Sequence, residues 1–244
     1  MKKIYVGNKK YNMSLMEHKV IQHFLTFKKT YSENRLQFKL PKKCKSLTLL
    51  ELGCGAVPVA NHDSIYIGID IVPQLLGYMK ENNPECHLIL ANAKQLPIRN
   101  QVIHDVALNT LLHHLISKTK TQSNKNIDNV FNEIYRITKT NSTIYIRELF
   151  IGNKLYSWIM YYLTYLLSEF NIKFPSLGLY DGTIVNFLTE KKLKQLIETN
   201  GLITIYRNLE DWMVKKIKLG KKGWYILRKR IFSAAITRTY HTTT

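Results

Sequence analysis

The most constraining stretch of the chain is Leu49-Leu50-Glu51-Leu52-Gly53-Cys54-Gly55-Ala56-Val57-Pro58. Thr48 to Leu52 is an apolar run of strand length, too short for a helix. Two glycines follow at i and i+2, where a buried strand must turn tightly towards a helix. Glycine permits positive φ at such a turn and lets a ligand approach without meeting a Cβ. Ile65-Tyr66-Ile67-Gly68-Ile69-Asp70 is a second buried-strand pattern, and it ends on an acid. Asp70 follows Glu51 by nineteen residues, about the βαβ interval at which an acid meets the ribose hydroxyls of an adenosine. This spacing predicts an open α/β sheet with its ligand crevice at the carboxyl ends of the strands. The longer G-x-G-x-x-G of dinucleotide-binding folds is absent, because Val57 and Pro58 follow Gly55.

The run Glu51 to Gly55, followed by Gly68 to Ile71, resembles the class I S-adenosylmethionine-dependent methyltransferases. The resemblance continues through Asn92 to Pro97, His104 to Leu115 and Asn132 to Lys139. It implies a Rossmann-like three-layer α/β sandwich. The sheet would be mostly parallel and seven-stranded, with an antiparallel C-terminal hairpin and a helical lid insertion. Residues 1–244 would then be one domain. Its parts would be an N-terminal helical cover (1–45), a cofactor-binding core (46–149), a lid insertion (150–187), and a C-terminal helix and hairpin (188–232). The cofactor implied is S-adenosyl-L-methionine, with Glu51, Gly53, Gly55, Asp70, Ile71, Asn92, Ala93 and Asn109 as its binding residues. Two positions depart from the family pattern. Val57 replaces the third glycine of the turn, and Asn92 stands where an acid is common. Asn92 keeps an acceptor in its side-chain carbonyl but loses the charge; a structural turn asparagine is the other reading.

A chain of 244 residues can bury a substantial core as one domain. Its net charge of +19 favours contact with nucleic acid, anionic membrane or anionic substrate, and says nothing of fold. A lysine-rich background would produce the same excess. Cys44, Cys54 and Cys86 form no C-x-x-C pair, so neither a disulfide framework nor a zinc site is expected, and a reducing cytoplasm fits. No metal is implied. Met1 to Gly7 runs into polar residues without the apolar core of a signal peptide.

Along the chain, Ser14 and Glu17 have capping-box spacing, and Val20, Ile21, Phe24, Leu25 and Phe27 follow at helical intervals. Asn61 to Ser64 are turn residues, leaving room for about two helical turns after Gly55, with Pro58 at the start. A helix is expected over Val72 to Glu81, then strands over His87 to Leu90 and Val102 to Leu108. Lys118 to Asn126 reads as a mobile polar loop, Ile127 to Lys139 as a helix, and Thr143 to Leu149 as a strand. Leu155 to Ser168 lacks charge and is rich in Tyr and Trp. It is shorter than the twenty or so apolar residues of a membrane-spanning helix. A buried helix, a substrate lid and an interfacial helix all remain open for it. Thr189 is the expected N-cap of a helix that ends at Gly201. Leu202 to Tyr206 and Trp224 to Leu227 suit a terminal hairpin. From Trp212 to Thr244 there are nine Lys and Arg and no acid, either a solvated surface or an anion-binding patch.

Methyl transfer of this kind rests on holding the acceptor in line with an electrophilic methyl, so no general base is demanded. His114 and Glu148 are the candidates if one is used. The acceptor expected is a small molecule or a lipid. Two alternatives stand beside this reading. One is an RNA (tRNA) methyltransferase that uses the basic C-terminal tract, which could equally meet an anionic membrane. The other is a non-catalytic protein that keeps the fold for binding. A cytoplasmic location is expected, with peripheral membrane contact as a variant.

Overall fold

The computed structural model describes residues 3–6, 9–12, 48–59, 65–170, 172, 184–214 and 217–230. Strands β1 (Lys3–Val6) and β2 (Lys9–Asn12) pair antiparallel in a hairpin of their own. The central strand of the main sheet is β3 (Thr48–Leu52). It lies parallel between β4 (Ile65–Asp70) and β6 (Ile103–Asn109). Beyond β4 comes β5 (His87–Leu90), also parallel. On the other side, β7 (Thr138–Ile151) runs parallel to β6. The two-residue β8 (Leu188–Thr189) pairs with the end of β7. The long strands β9 (Leu202–Val214) and β10 (Ile217–Lys229) close the sheet antiparallel. The order is β5-β4-β3-β6-β7-β10-β9. The chain direction across the sheet therefore reverses between β3 and β6, the switch point where such sheets open a crevice.

Strand alternation divides the core into two layers. Leu50 and Leu52 face one way and join Val106, Leu108 and Ile146. That layer is covered by α2 (Lys120–Ile137), through Val130, Phe131 and Ile134, and by α4 (Glu190–Thr199), through Leu193 and Leu196. Leu49 faces the opposite way, with Ala107 and Tyr145, beneath Leu76 and Met79 of α1 (Pro73–Asn82). All these side chains are nearly solvent-free; each buried Leu, Ile or Phe contributes about 1.5–3 kcal/mol. Between β7 and β8 stands α3 (Lys154–Glu169), capped by Asn153, whose Oδ1 accepts from the Tyr156 N–H.

Several expectations change. The described part of residues 1–45 is a hairpin, which precedes the stretch where a helix is expected; Gly7-Asn8 is a two-residue hairpin signal in the sequence. Residues 53–59 form turns rather than a helical start. The polar stretch expected as a loop over Lys118 to Asn126 is instead the first turns of α2. Thr119 caps them by accepting from the Gln122 N–H, and the inward positions are Lys120 and Ser123. Polar side chains at the buried positions removed the periodic signal. Strand β7 starts directly from the end of α2, five residues earlier than expected. The helix expected from Ser14, Cys44, the turn Asn61 to Ser64 and residues 173–183 of the expected lid lie outside the described residues.

Candidate active site

The carboxyl ends of β3, β4, β5 and β6 converge on one cleft of about 890 Å³, its outer part open to solvent. Its floor is the glycine turn. Gly53 and Gly55 have φ of 67° and 62°, values at which only glycine is unstrained. A Cβ on Gly53 would lie 2.7 Å from Leu111 Cδ1. The N–H groups of Gly53 and Cys54 both donate to the Ile69 carbonyl, at 2.8 and 3.0 Å, which ties the turn to the end of β4.

Asp70 secures the same turn from the side. Its Oδ2 accepts from the Gly55 N–H at 2.8 Å, and its Oδ1 accepts from the Val72 N–H at 2.9 Å. Each oxygen of a carboxylate has room for a second donor, and Asp70 lines the cleft at the edge of solvent. The carboxylate thus stands where the turn and the cleft meet.

Asn109, at the end of β6, is buried, and its Oδ1 has no hydrogen-bond partner among the described residues. An orphaned buried acceptor is costly unless a ligand completes it. Asn109 lines the cleft, so the atom suits a ligand ammonium or hydroxyl. Next to it, Thr110 takes φ of 56°, unusual for a β-branched residue and a strain that gathers at functional sites. Its N–H donates to the Arg147 carbonyl at 2.8 Å, so the neighbouring strand holds it there. Thr110 lines the cleft beside Asn109. Asn92, Ala93 and Ile71 form the wall beside β5. The Asn92 Oδ1 accepts from the Lys94 N–H at 3.0 Å; the residue is thus a turn-former and a lining residue together.

Two predicted residues do not face the cleft. Glu51 shares the face of Leu49, and its Oε2 accepts from the Val59 N–H at 2.9 Å and the Tyr66 hydroxyl at 2.5 Å. It braces the turn from behind. Glu148 is fully buried. Its Oε2 accepts from the Leu112 N–H at 2.7 Å; its Oε1 accepts from the Leu149 N–H and lies 2.5 Å from His113 Nδ1. The carboxylate fastens the short 3-10 turn Leu112–His114 to the end of β7. That turn sets His114 into the cleft wall, its ring 4.0 Å from that of His113. Of the two acid–base candidates, the cleft therefore receives His114, while Glu148 positions the turn that carries it. His113 was passed over because sequence alone does not show which member of the pair turns inward.

Residues 50–146 match a family model described as a methyltransferase domain. No curated protein matches the chain in sequence. Among solved structures, the chain is similar to a SAM-dependent methyltransferase from Methanosarcina mazei (TM-score 0.54, 15% identity), covering 75% of this chain and 92% of that one. The PH0226 protein from Pyrococcus horikoshii is also similar (TM-score 0.54, 13% identity, covering 86% and 92%). So is the cyclase SpnF (TM-score 0.53, 10% identity, covering 85% and 81%). At these identities the likeness is one of fold.

Proposed function

We propose that the chain, whose residues 50–146 match a methyltransferase domain, is a class I S-adenosylmethionine-dependent methyltransferase that methylates a small-molecule or lipid-like acceptor. The observation that carries this reading is the glycine turn pinned to Asp70 at the switch point of the sheet. The residues present fit the cofactor. Asp70 offers two acceptor positions for the ribose hydroxyls, and the Asn109 Oδ1 offers a buried acceptor for the ammonium of the methionine part. Gly53 and Gly55 give the turn its positive-φ backbone. Asn92 and Ala93 flank the place of the adenine. When bound, S-adenosylmethionine supplies a methyl group already electrophilic on its sulfonium. The chain's own task is then to orient the acceptor and exclude water. His114 stands in the cleft wall where it can take the proton of an acceptor that must lose one.

An RNA acceptor is less well supported. Within the basic tract, Lys218 and Lys222 pair with Asp211 and Glu210. Lys229 is buried, its Nζ donating to the Tyr135 and Thr138 carbonyls. Those cations serve the sheet before any phosphate. Titration calorimetry with S-adenosylmethionine and its demethylated product tests the reading. Saturable binding is expected, and absence of binding would favour a non-catalytic role for the fold.

A further inference from the structure

Helix α3 is turned inside out relative to an ordinary amphipathic helix. Its buried positions are Ser157, Tyr161, Thr164 and Ser168. Three of these hydroxyls are spent on the body of the protein. Ser157 donates to the Phe187 carbonyl, Tyr161 donates to the Ser117 carbonyl, and Thr164 accepts from the Val185 N–H. The other side carries Leu155, Trp158, Ile159, Tyr162, Leu163 and Leu166, between 38% and 65% exposed. At 3.6 residues per turn the two sets point in nearly opposite directions. The exposed patch continues into Phe170 and Ile172, and no charge interrupts it between Lys154 and Glu169. A contiguous apolar patch rimmed by polar residues marks a binding face.

We propose that this face of α3 seats the protein on an anionic lipid surface, so that the acceptor enters the cleft from the membrane. Three observations select that occupant. The face mixes aliphatic residues with Trp158 and Tyr162, their rings 4.2 Å apart, and Trp and Tyr are the side chains that settle at lipid–water boundaries. Exposed charge flanks the face: Lys154 opens the helix and Glu169 closes it, and Lys118 is exposed beside the Ser117 carbonyl that Tyr161 holds. The chain as a whole carries +19, which attracts an anionic surface and repels a second copy of itself. No helix among the described residues is long and apolar enough to cross a membrane, so α3 lies in the surface plane. Its inner side is already at the cleft, because Tyr161 packs on Ile116, a lining residue. The account of the acceptor rests on the methyl-transfer reading; the membrane contact itself does not.

The test uses the full chain with vesicles of phosphatidylcholine, alone or mixed equally with phosphatidylglycerol, read by co-sedimentation and tryptophan fluorescence. Binding is expected to the mixed vesicles and to weaken with salt. Trp158→Ser with Leu166→Ser is expected to lower that affinity about tenfold or more, with S-adenosylmethionine affinity unchanged as the check of the fold. Lys118→Glu with Lys154→Glu keeps the apolar face and is expected to weaken binding at low salt only. No binding to anionic vesicles, or equal binding by the parent and the Trp158/Leu166 variant, overturns the proposal. So does a dimer that the same two substitutions dissolve, since the face would then belong to a second copy. If the parent binds vesicles but not S-adenosylmethionine, the methyl-transfer reading falls and the membrane contact stands.

Discussion

Replacing Asp70 by Ala tests the cofactor site and the architecture of the turn separately. The carboxylate accepts two backbone hydrogen bonds, from Gly55 at 2.8 Å and Val72 at 2.9 Å. Hydrogen bonds to a charged group contribute about 1.5–3 kcal/mol each. The cleft is open to water, which replaces part of what is lost, so a fall in unfolding free energy of about 2–3 kcal/mol is expected. A domain stable by roughly 5–15 kcal/mol survives that, and the folded fraction can be measured directly. On the proposed reading the same carboxylate also accepts from the ribose hydroxyls, so binding is expected to lose more than stability does. Losing even one such bond weakens the cofactor about tenfold or more. Urea titration followed by circular dichroism gives the first quantity, and calorimetry with the demethylated cofactor gives the second. An unchanged dissociation constant in a folded Asp70→Ala protein would refute the assignment. Unchanged stability would instead deny that Asp70 holds the turn.

Gly53→Val places a β-branched residue at φ of 67° with its Cβ against Leu111; a stability loss of about 1–3 kcal/mol and abolished cofactor binding are expected. Normal cofactor binding by that variant, measured by calorimetry, would show that the turn is not the cradle. Glu148→Gln leaves one of its three donors facing an amide N–H₂, so stability is expected to drop by about 1.5–3 kcal/mol. Turnover should fall while cofactor affinity holds, and full turnover would mean that the His114 turn needs no such anchor. Burial pushes the Lys120 ammonium down to about 8 from 10.5. Between those values the folded protein binds fewer protons than the unfolded chain, so stability rises with pH from about 8 to 10.5 and shows no Lys120 dependence below. The amplitude is on the order of 3 kcal/mol; Lys120→Met is expected to remove the rise, and equal pH slopes of the urea midpoint in both proteins would contradict this.

The sheet was legible because its central strands are written in residues that allow one reading. Leu49 to Leu52, Ile65 to Asp70 and His87 to Leu90 are short apolar runs closed by turn residues, and β3, β4 and β5 follow them closely. The caps were legible for the same reason: Thr189 accepts from the Lys192 N–H at the start of α4. What was hidden depended on contacts distant in sequence. The first turns of α2 look like a loop because Lys120 is buried by reaching Asn186, at 2.6 Å and sixty-six residues away. The apolar run Leu155 to Ser168 left burial, a lid and an interface open; its hydroxyl residues found partners in Phe187, Ser117 and Val185 and took the inner positions. Hydrophobicity reports which residues resist water; it does not report which face of a helix a neighbouring backbone will claim.

The same limit explains the two misplaced carboxylates. An acid near the carboxyl end of a parallel strand invites the reading that it faces the ligand, but strand parity decides first. Glu51 follows Leu49 by two residues, so it must share Leu49's face, against Tyr66 and under α1. Glu148 shares the face of Ile146 and Phe150 beneath α2 and α4. Neither can turn to the cleft without breaking the strand alternation that buries its neighbours. Both instead accept backbone N–H groups from the segments that do line the cleft or lead away from it, Val59 for Glu51 and Leu112 for Glu148. Buried carboxylates in such positions are tolerated only when their acceptor capacity is filled, and filling it fixes the loops. A reaction that depends on orienting an acceptor more than on proton transfer gains most from fixed loops. On the proposed reading both acids serve through rigidity, and the residue in the cleft wall is the one that the Glu148-held turn carries, His114.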